Sequence, residues 1–330
     1  MSDIARMDKS EIIQLLGARD QEQDELFGLA RRARQSEFGD IAYMRAIIEP
    51  SNNCRNGCHY CVMRKGSELI GRYRMDADEI VRTAEQMMEQ GVKVFSLETG
   101  EDPEIIDTIA RAASLIKQKG GWILGAFGDL EKDDYDRLRD AGIDAYLLKF
   151  ETSDAELFGR LRPGTTLQKR LENLEYLREH GFAIATGNIA GLPGQTIESI
   201  ADDVALVKSF EPFMATVSPF IPSPGTPTED ERYGNIDLTL NALAIYRVLL
   251  PKSHIPALCA LDFYPQIGQL GALNAGANDV LINTAKPDSS ASGFAIYSKH
   301  KKYVSFEDGM EAIRKAGLRF DSSQNYPVSS

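Results

Sequence analysis

The sequence predicts an α/β fold, a complete (β/α)8 barrel of the TIM type with an N-terminal helical extension, and three observations predict it. Eight apolar, strand-like segments recur from Tyr43 onward, amphipathic helical stretches separate them, and unusual polar residues fall just beyond several of the strands. Parallel strands joined by crossover helices account for the alternation. A chain of 330 residues suits one large barrel, in which reactive groups gather at the C-terminal ends of the strands. The expected units are a helical cap over 1–40, the barrel over 41–320 and a tail over 321–330.

Residues 8 to 36 read as polar amphipathic helices, with Leu15, Leu16, Leu26 and Leu29 set among many charges. The strands are expected to begin near Tyr43, Lys93, Trp122, Ala145, Ala183, Ala215, Pro256 and Val280, and the helices between them cover 77 to 90, 104 to 118, 132 to 141, 168 to 180, 197 to 209 and 237 to 249. Asp76 and Ser153 each stand three residues before a Glu, so the orphan amides of a helix start can be satisfied reciprocally. Gly91, Gly120, Gly142 and Gly181 follow helical runs, where glycine takes the left-handed stop conformation. Ser289 to Gly293 reads as a flexible loop after the eighth strand.

Composition narrows the function. Hydrophobic residues at 43% and charged residues at 26% describe a globular chain with a sizeable core. A formal charge of −12 argues against a nonspecific nucleic-acid binder, which needs basic stripes to neutralise phosphates. No apolar run approaches about 18 residues and the N-terminus lacks the basic-then-apolar order of a signal peptide, so no membrane partner and a cytoplasmic location are expected.

Function is carried by Cys54, Cys58 and Cys61, spaced C-x3-C-x2-C just beyond the first strand. Three thiolates so spaced can fold round one face of a cubane iron–sulfur cluster, whereas a closed electron-transfer cluster needs a fourth cysteine. One iron is then left open for chemistry. Zinc would want a fourth ligand, and His59 lies between two of the cysteines where the tight loop makes simultaneous ligation awkward. A disulfide is no better, because the remaining Cys259 is remote and no secretory leader is read. The other strand ends carry Thr99-Gly100-Glu101-Asp102, Glu151-Thr152, and Thr186-Gly187-Asn188 with Gly191-Leu192-Pro193-Gly194 beyond, all of which converge on one mouth.

The cysteine loop with Tyr60 before its last cysteine, the Gly100-Glu101-Asp102-Pro103 segment, Arg72-Tyr73-Arg74-Met75, Leu161-Arg162-Pro163 and Gly191-Leu192-Pro193-Gly194-Gln195-Thr196 resemble the radical S-adenosylmethionine (SAM) enzymes over nearly the whole chain. Within them the resemblance is to the group of HydE, the FeFe-hydrogenase maturase, and PylB, the methylornithine synthase, and it is nearer to HydE. It implies one 4Fe-4S cluster on the three cysteines, SAM on the open iron, and an electron donor such as ferredoxin or flavodoxin. The extra cysteines that hold a second cluster in some HydE chains are absent.

The resemblance also implies that Tyr60 lies near the adenine, Thr99 near the methionyl amino end, with Gly100 and Glu101 beside it, Glu151 at the ribose hydroxyls, and Arg170 near the methionyl carboxylate. Glu101 and Asp102 read equally as a solvated helix start, and Arg170 as an exposed charge on a helix face. At the substrate end the chain departs from its relatives. It carries Lys149-Phe150 where HydE chains have an Arg-His pair, Leu258-Cys259 where they have two threonines, and Thr216 where PylB has an arginine. Asp262 falls near an acidic substrate residue of PylB. The expected substrate is a small molecule or small metal complex. HydE-like metallocofactor maturation is the first expectation, a PylB-like amino-acid mutase or other carbon-centred radical reaction the alternative, and a noncatalytic iron–sulfur protein the third.

Overall fold

The computed structural model describes residues 7–284, 303–323 and 326. Eight parallel strands, β1 Ile41–Ser51, β2 Val94–Thr99, β3 Trp122–Ala126, β4 Ala145–Leu147, β5 Ala183–Ala190, β6 Met214–Pro219, β7 Pro256–Ala257 and β8 Asp279–Asn283, lie in the order β6-β5-β4-β3-β2-β1-β8-β7. The two ends of that order are joined at the base, where Ala215 N donates to His254 O at 2.9 Å and His254 N to Phe213 O at 2.8 Å. The sheet is therefore a closed barrel. All eight expected strands are present.

The helices pack outside it: α1 Lys9–Leu16, α2 Asp20–Phe38, α3 Ala77–Glu89, α4 Ile106–Gln118, α5 Lys132–Asp140, α6 Ala155–Leu161, α7 Leu167–Glu179, α8 Ile197–Phe210, α9 Ile236–Leu249, α10 Gly268–Asn274 and α11 Phe306–Lys315. Asp76 and Glu79 form the expected reciprocal cap on α3. The cap expected from Ser153 on α6 is instead made by Asp154, which accepts from Glu156 N and Leu157 N at 3.0 and 2.9 Å. Ser153 is engaged elsewhere, on Asp203. Gly91, Gly120, Gly142 and Gly181 all have φ between +83° and +97°, the left-handed stops expected of them.

The N-terminal helices dock on the helices that follow β5 and β6, α1 against α8 and α2 against α9. Leu16, Leu26 and Ala30 are buried there. The Asn241 side chain donates to Leu16 O and Ala18 O at 3.0 Å each, and buried Arg34 donates to Leu273 O and Ala277 O.

Apolar side chains fill the lower lumen. Val94, Trp122, Leu124, Ala145, Ala185 and Met214 meet Tyr326, which is buried although it falls in the segment set apart as a tail. A two-residue strand missed from the sequence, β9 Arg319–Phe320, pairs in parallel with Ile41 and Ala42 at the base of β1. His254 packs edge-on against Tyr43 and Tyr326, and burial holds its pKa well below the ordinary range. Its ring is a neutral part of the floor. The loop expected at Ser289 to Gly293 lies outside the described residues. Among the described residues no helix is long and apolar enough to cross a membrane.

Candidate active site

β1 delivers the chain to the barrel mouth at Ser51, and the cysteine loop begins at once. Its start is tied to residues 71–73: Asn52 Nδ2 donates to Gly71 O at 2.6 Å, Tyr73 N to Asn52 Oδ1 at 3.0 Å, and Asn53 Nδ2 to Tyr73 O at 2.9 Å. Arg72 gathers the carbonyls of Asn52, Met63 and Arg64. Gly100 closes the other side, since a Cβ there would stand 2.3 Å from Asn53 O and 2.6 Å from Cys54 Cβ. Arg72→Ala removes one cation from the carbonyls it gathers, a loss of about 1–3 kcal/mol of loop order. The expected result is several-fold faster reaction of Cys54 and Cys61 with a maleimide in the metal-free protein; equal rates would show that Arg72 does not brace the loop.

None of the three cysteines is in a disulfide; Cys54 and Cys61, both half-buried, pack against Val62, Met63 and Ile70, and Cys58 is buried. Burial pushes all three thiols above their ordinary pKa. Bound to a cation as thiolates they would shed those protons. They open on a cavity of about 190 Å³ at the mouth, lined also by Tyr60, Thr99, Gly100, Glu101, Lys149, Glu151, Arg162 and Arg170.

Charge in this cavity is dense and buried. Glu101 is within 3.4 Å of Arg162, 3.6 Å of Arg170 and 3.6 Å of Arg55, and its stem packs so tightly on Gly128 (φ +73°) that a Cβ there would stand 2.2 Å from Glu101 Cγ. Arg170 reaches Asp129 at 3.0 Å, and Asn173 donates to the other Asp129 oxygen at 2.8 Å. Arg162 donates to Tyr60 Oη at 3.1 Å. Yet Arg162 Nε, Arg170 Nε and Arg170 Nη2 make no directed hydrogen bond. Buried donors of that kind are costly unless something accepts from them.

Glu151 stands just past β4 with φ +65°, a left-handed conformation that costs a non-glycine residue of order 1–3 kcal/mol and persists only where the surroundings over-determine it. Its carboxylate lies 3.2 Å from Lys149 Nζ, which also donates to Ser218 Oγ at 2.8 Å. Thr216, two residues below Ser218 on β6, is buried with its hydroxyl unpartnered. Cys259 is buried in the turn after β7 with Sγ 3.6 Å from Leu281 O, and Asp262 is half-buried in the same turn. Those three lie outside the cavity lining, whereas Lys149 is part of it.

The Radical SAM superfamily pattern matches residues 48–207, which run from the end of β1 into α8. The chain is 39% identical over 259 residues to the [FeFe] hydrogenase maturase subunit HydE of Thermotoga maritima, covering 78% of this chain and 74% of that one. The chain belongs to the radical SAM superfamily. It is also 31% identical over 284 residues to 3-methylornithine synthase of Methanosarcina acetivorans, covering 85% of this chain and 80% of that one. The crystal structure of methylornithine synthase (PylB) superposes with a TM-score of 0.86 at 26% identity, over 97% of this chain and 96% of that chain.

Set against the radical SAM expectation, the structure brings together Cys54, Cys58, Cys61, Tyr60, Thr99, Gly100, Glu101, Glu151 and Arg170 around one cavity. Glu101 and Asp102 are buried rather than solvated: Asp102 is held by Ser51 Oγ at 2.6 Å and by Arg74 at 2.7 and 2.8 Å. Arg170 faces inward on α7 and is 2% exposed, which removes the reading of it as a surface charge. Sequence reasoning gave no role to Arg162, although it stood in a quoted motif. It also missed Asp129, which follows β3 as the other site acids follow their strands. The radical SAM residues fit the cofactors the family implies: one buried and two half-buried thiols, with no fourth cysteine beside them among the described residues, next to arginine N–H groups that make no directed hydrogen bond.

Proposed function

We propose that this chain holds one 4Fe-4S cluster on Cys54, Cys58 and Cys61, binds SAM in the adjoining cavity, and acts on a small substrate in the upper barrel lumen. The observation that carries the reading is the pairing of three clustered thiols with undirected arginine donors in one cavity. When bound, the reduced cluster would supply the electron that breaks a carbon–sulfur bond of SAM, yielding methionine and a 5'-deoxyadenosyl radical.

The chain's own residues bind and orient. Arg170, with Arg162 lining the same cavity, offers a planar fork to the methionyl carboxylate. Thr99, Gly100 and Glu101 edge the methionyl amino end, Tyr60 the adenine, and Glu151 accepts from the ribose diol. The apolar floor below excludes water, which protects a reactive intermediate from side reactions.

HydE-like maturation of a metallocofactor is the reading favoured by the relationship to that maturase. A PylB-like reaction on an amino acid is the second reading, supported by the likeness to PylB and by a cation, Lys149, that faces the lumen with Ser218 beside it. Ferredoxin or flavodoxin would serve as electron donor. The test is anaerobic reconstitution and dithionite reduction with SAM, followed by chromatography for 5'-deoxyadenosine. Formation above a protein-free control is expected, with stimulation by thiol-bearing iron complexes under the first reading and by amino acids under the second. An intact reduced cluster that binds SAM but never releases 5'-deoxyadenosine with either class would leave the noncatalytic reading standing instead.

A further inference from the structure

We propose that Asp203 is a positioning residue, whose buried carboxylate clamps the Glu151–Ser153 turn to β5 and its following loop and so fixes where the Glu151 carboxylate stands. Asp203 lies on α8, outside the barrel, and is fully buried. Its Oδ1 accepts from Ser153 N and Ser153 Oγ at 2.6 Å each and from Thr152 Oγ1 at 3.5 Å. Its Oδ2 accepts from Asn188 Nδ2 at 2.9 Å and from Gln195 Nε2 at 3.0 Å.

The partners extend the clamp in two directions. Gln195 Oε1 accepts from Gly191 N and Leu192 N at 2.8 and 3.1 Å, which fixes the loop after β5. Asn188 Oδ1 accepts from Tyr246 Oη at 2.8 Å on α9. On the barrel side Ile189 N donates to Glu151 O at 2.8 Å. The left-handed residue is thus gripped by β5 at its own carbonyl and by Asp203 two residues on.

Every partner of Asp203 in this set is a donor, so a carboxylate satisfies all of them while an amide would turn its own N–H groups toward donors. The facing groups on the β4 turn, β5 and its loop, and α9 are the neutral side chains of Thr152, Ser153, Asn188, Gln195 and Tyr246. Among the described residues no cation lies in ion-pair range of Asp203. Burial pushes its pKa up to about 6, against the opposing hydrogen bonds of Ser153, Asn188 and Thr152. A proton gained near that pH would cost the clamp an acceptor.

This inference rests on the reading that Glu151 holds the ribose, so the test has one readout that does not depend on it. In Asp203→Asn, a crystal structure is expected to show Glu151 displaced from φ near +65°, and the Kd for SAM of the reconstituted protein is expected to rise about tenfold, the scale of one hydrogen bond to a charged group. Asp203→Glu should restore part of the affinity. Wild-type affinity should weaken as the pH falls through about 6, and Asp203→Asn should lose that inflection. Tyr246→Phe, which removes only the outer bond to Asn188, should keep the wild-type Kd. Unchanged Glu151 geometry and Kd in Asp203→Asn, with only a lower melting temperature, would reduce Asp203 to structural glue and overturn the proposal. If Glu151→Gln binds SAM normally, the ribose reading falls, and the Glu151 geometry in Asp203→Asn decides the positioning claim alone.

Discussion

Cys58→Ser is expected to abolish cluster-dependent cleavage of SAM while leaving the barrel folded. Cys58 is the buried member of the three and lies between the other two in the loop. A serine hydroxyl is isosteric enough to occupy its place, but an alkoxide is no substitute for a soft thiolate on iron. The loop itself is held by Asn52, Asn53 and Arg72 rather than by the thiols, so circular dichroism and the melting temperature should change little. Visible absorbance after anaerobic reconstitution should fall to background, and no 5'-deoxyadenosine should form. Cleavage at the wild-type rate by Cys58→Ser would remove the residue from the ligand set.

The second large effect concerns stability. Arg247 on α9 is fully buried and serves four acceptors: Gly276 O at 2.9 Å, Pro251 O at 2.7 Å, Ser253 O at 2.8 Å and Asn278 Oδ1 at 2.6 Å. Asn278 Oδ1 in turn accepts from Ile255 N at 2.8 Å, just before β7. One guanidinium therefore ties the end of α9 to both β7 and the approach to β8. Arg247→Ala strands those acceptors in a site water cannot readily enter and opens a cavity, and each stranded group costs about 1–3 kcal/mol. A loss of about 3–5 kcal/mol is expected, read from urea unfolding; a loss below about 1 kcal/mol would mean that water or repacking replaces the guanidinium.

The barrel was legible because its signal is repeated: each strand is short, apolar and followed by a helix with its own cap or stop. Elements that break this rhythm were not. β9 has two residues, too few for a periodicity, and α10 contains two glycines in Gly268–Asn274. α11 carried a readable Ser305 to Asp308 cap, but with Asp in the place where Glu or Gln was sought.

In the site, ligand-like residues next to strand ends were readable, since strand order alone carries them to one mouth. Residues arriving from helices were harder. Arg162 follows α6 and Arg170 lies in α7, and only their inward orientation separates them from the exposed arginines nearby. Asp203 was illegible for the same reason. An Asp-Asp pair on an amphipathic helix looks like solvated surface, yet Asp202 is exposed and Asp203 is not.

The floor of the barrel also bears on how the molecule is made. Ile41 and Ala42 find their outer partner at Arg319 and Phe320, and the aromatic base is complete only with Tyr326. A strand synthesised early must wait for residues translated long after it, a pairing of the kind that slows folding because loop-closure entropy precedes the reward. The cluster around Trp122 at the foot of the barrel is thus completed by one of the last-made parts of the chain.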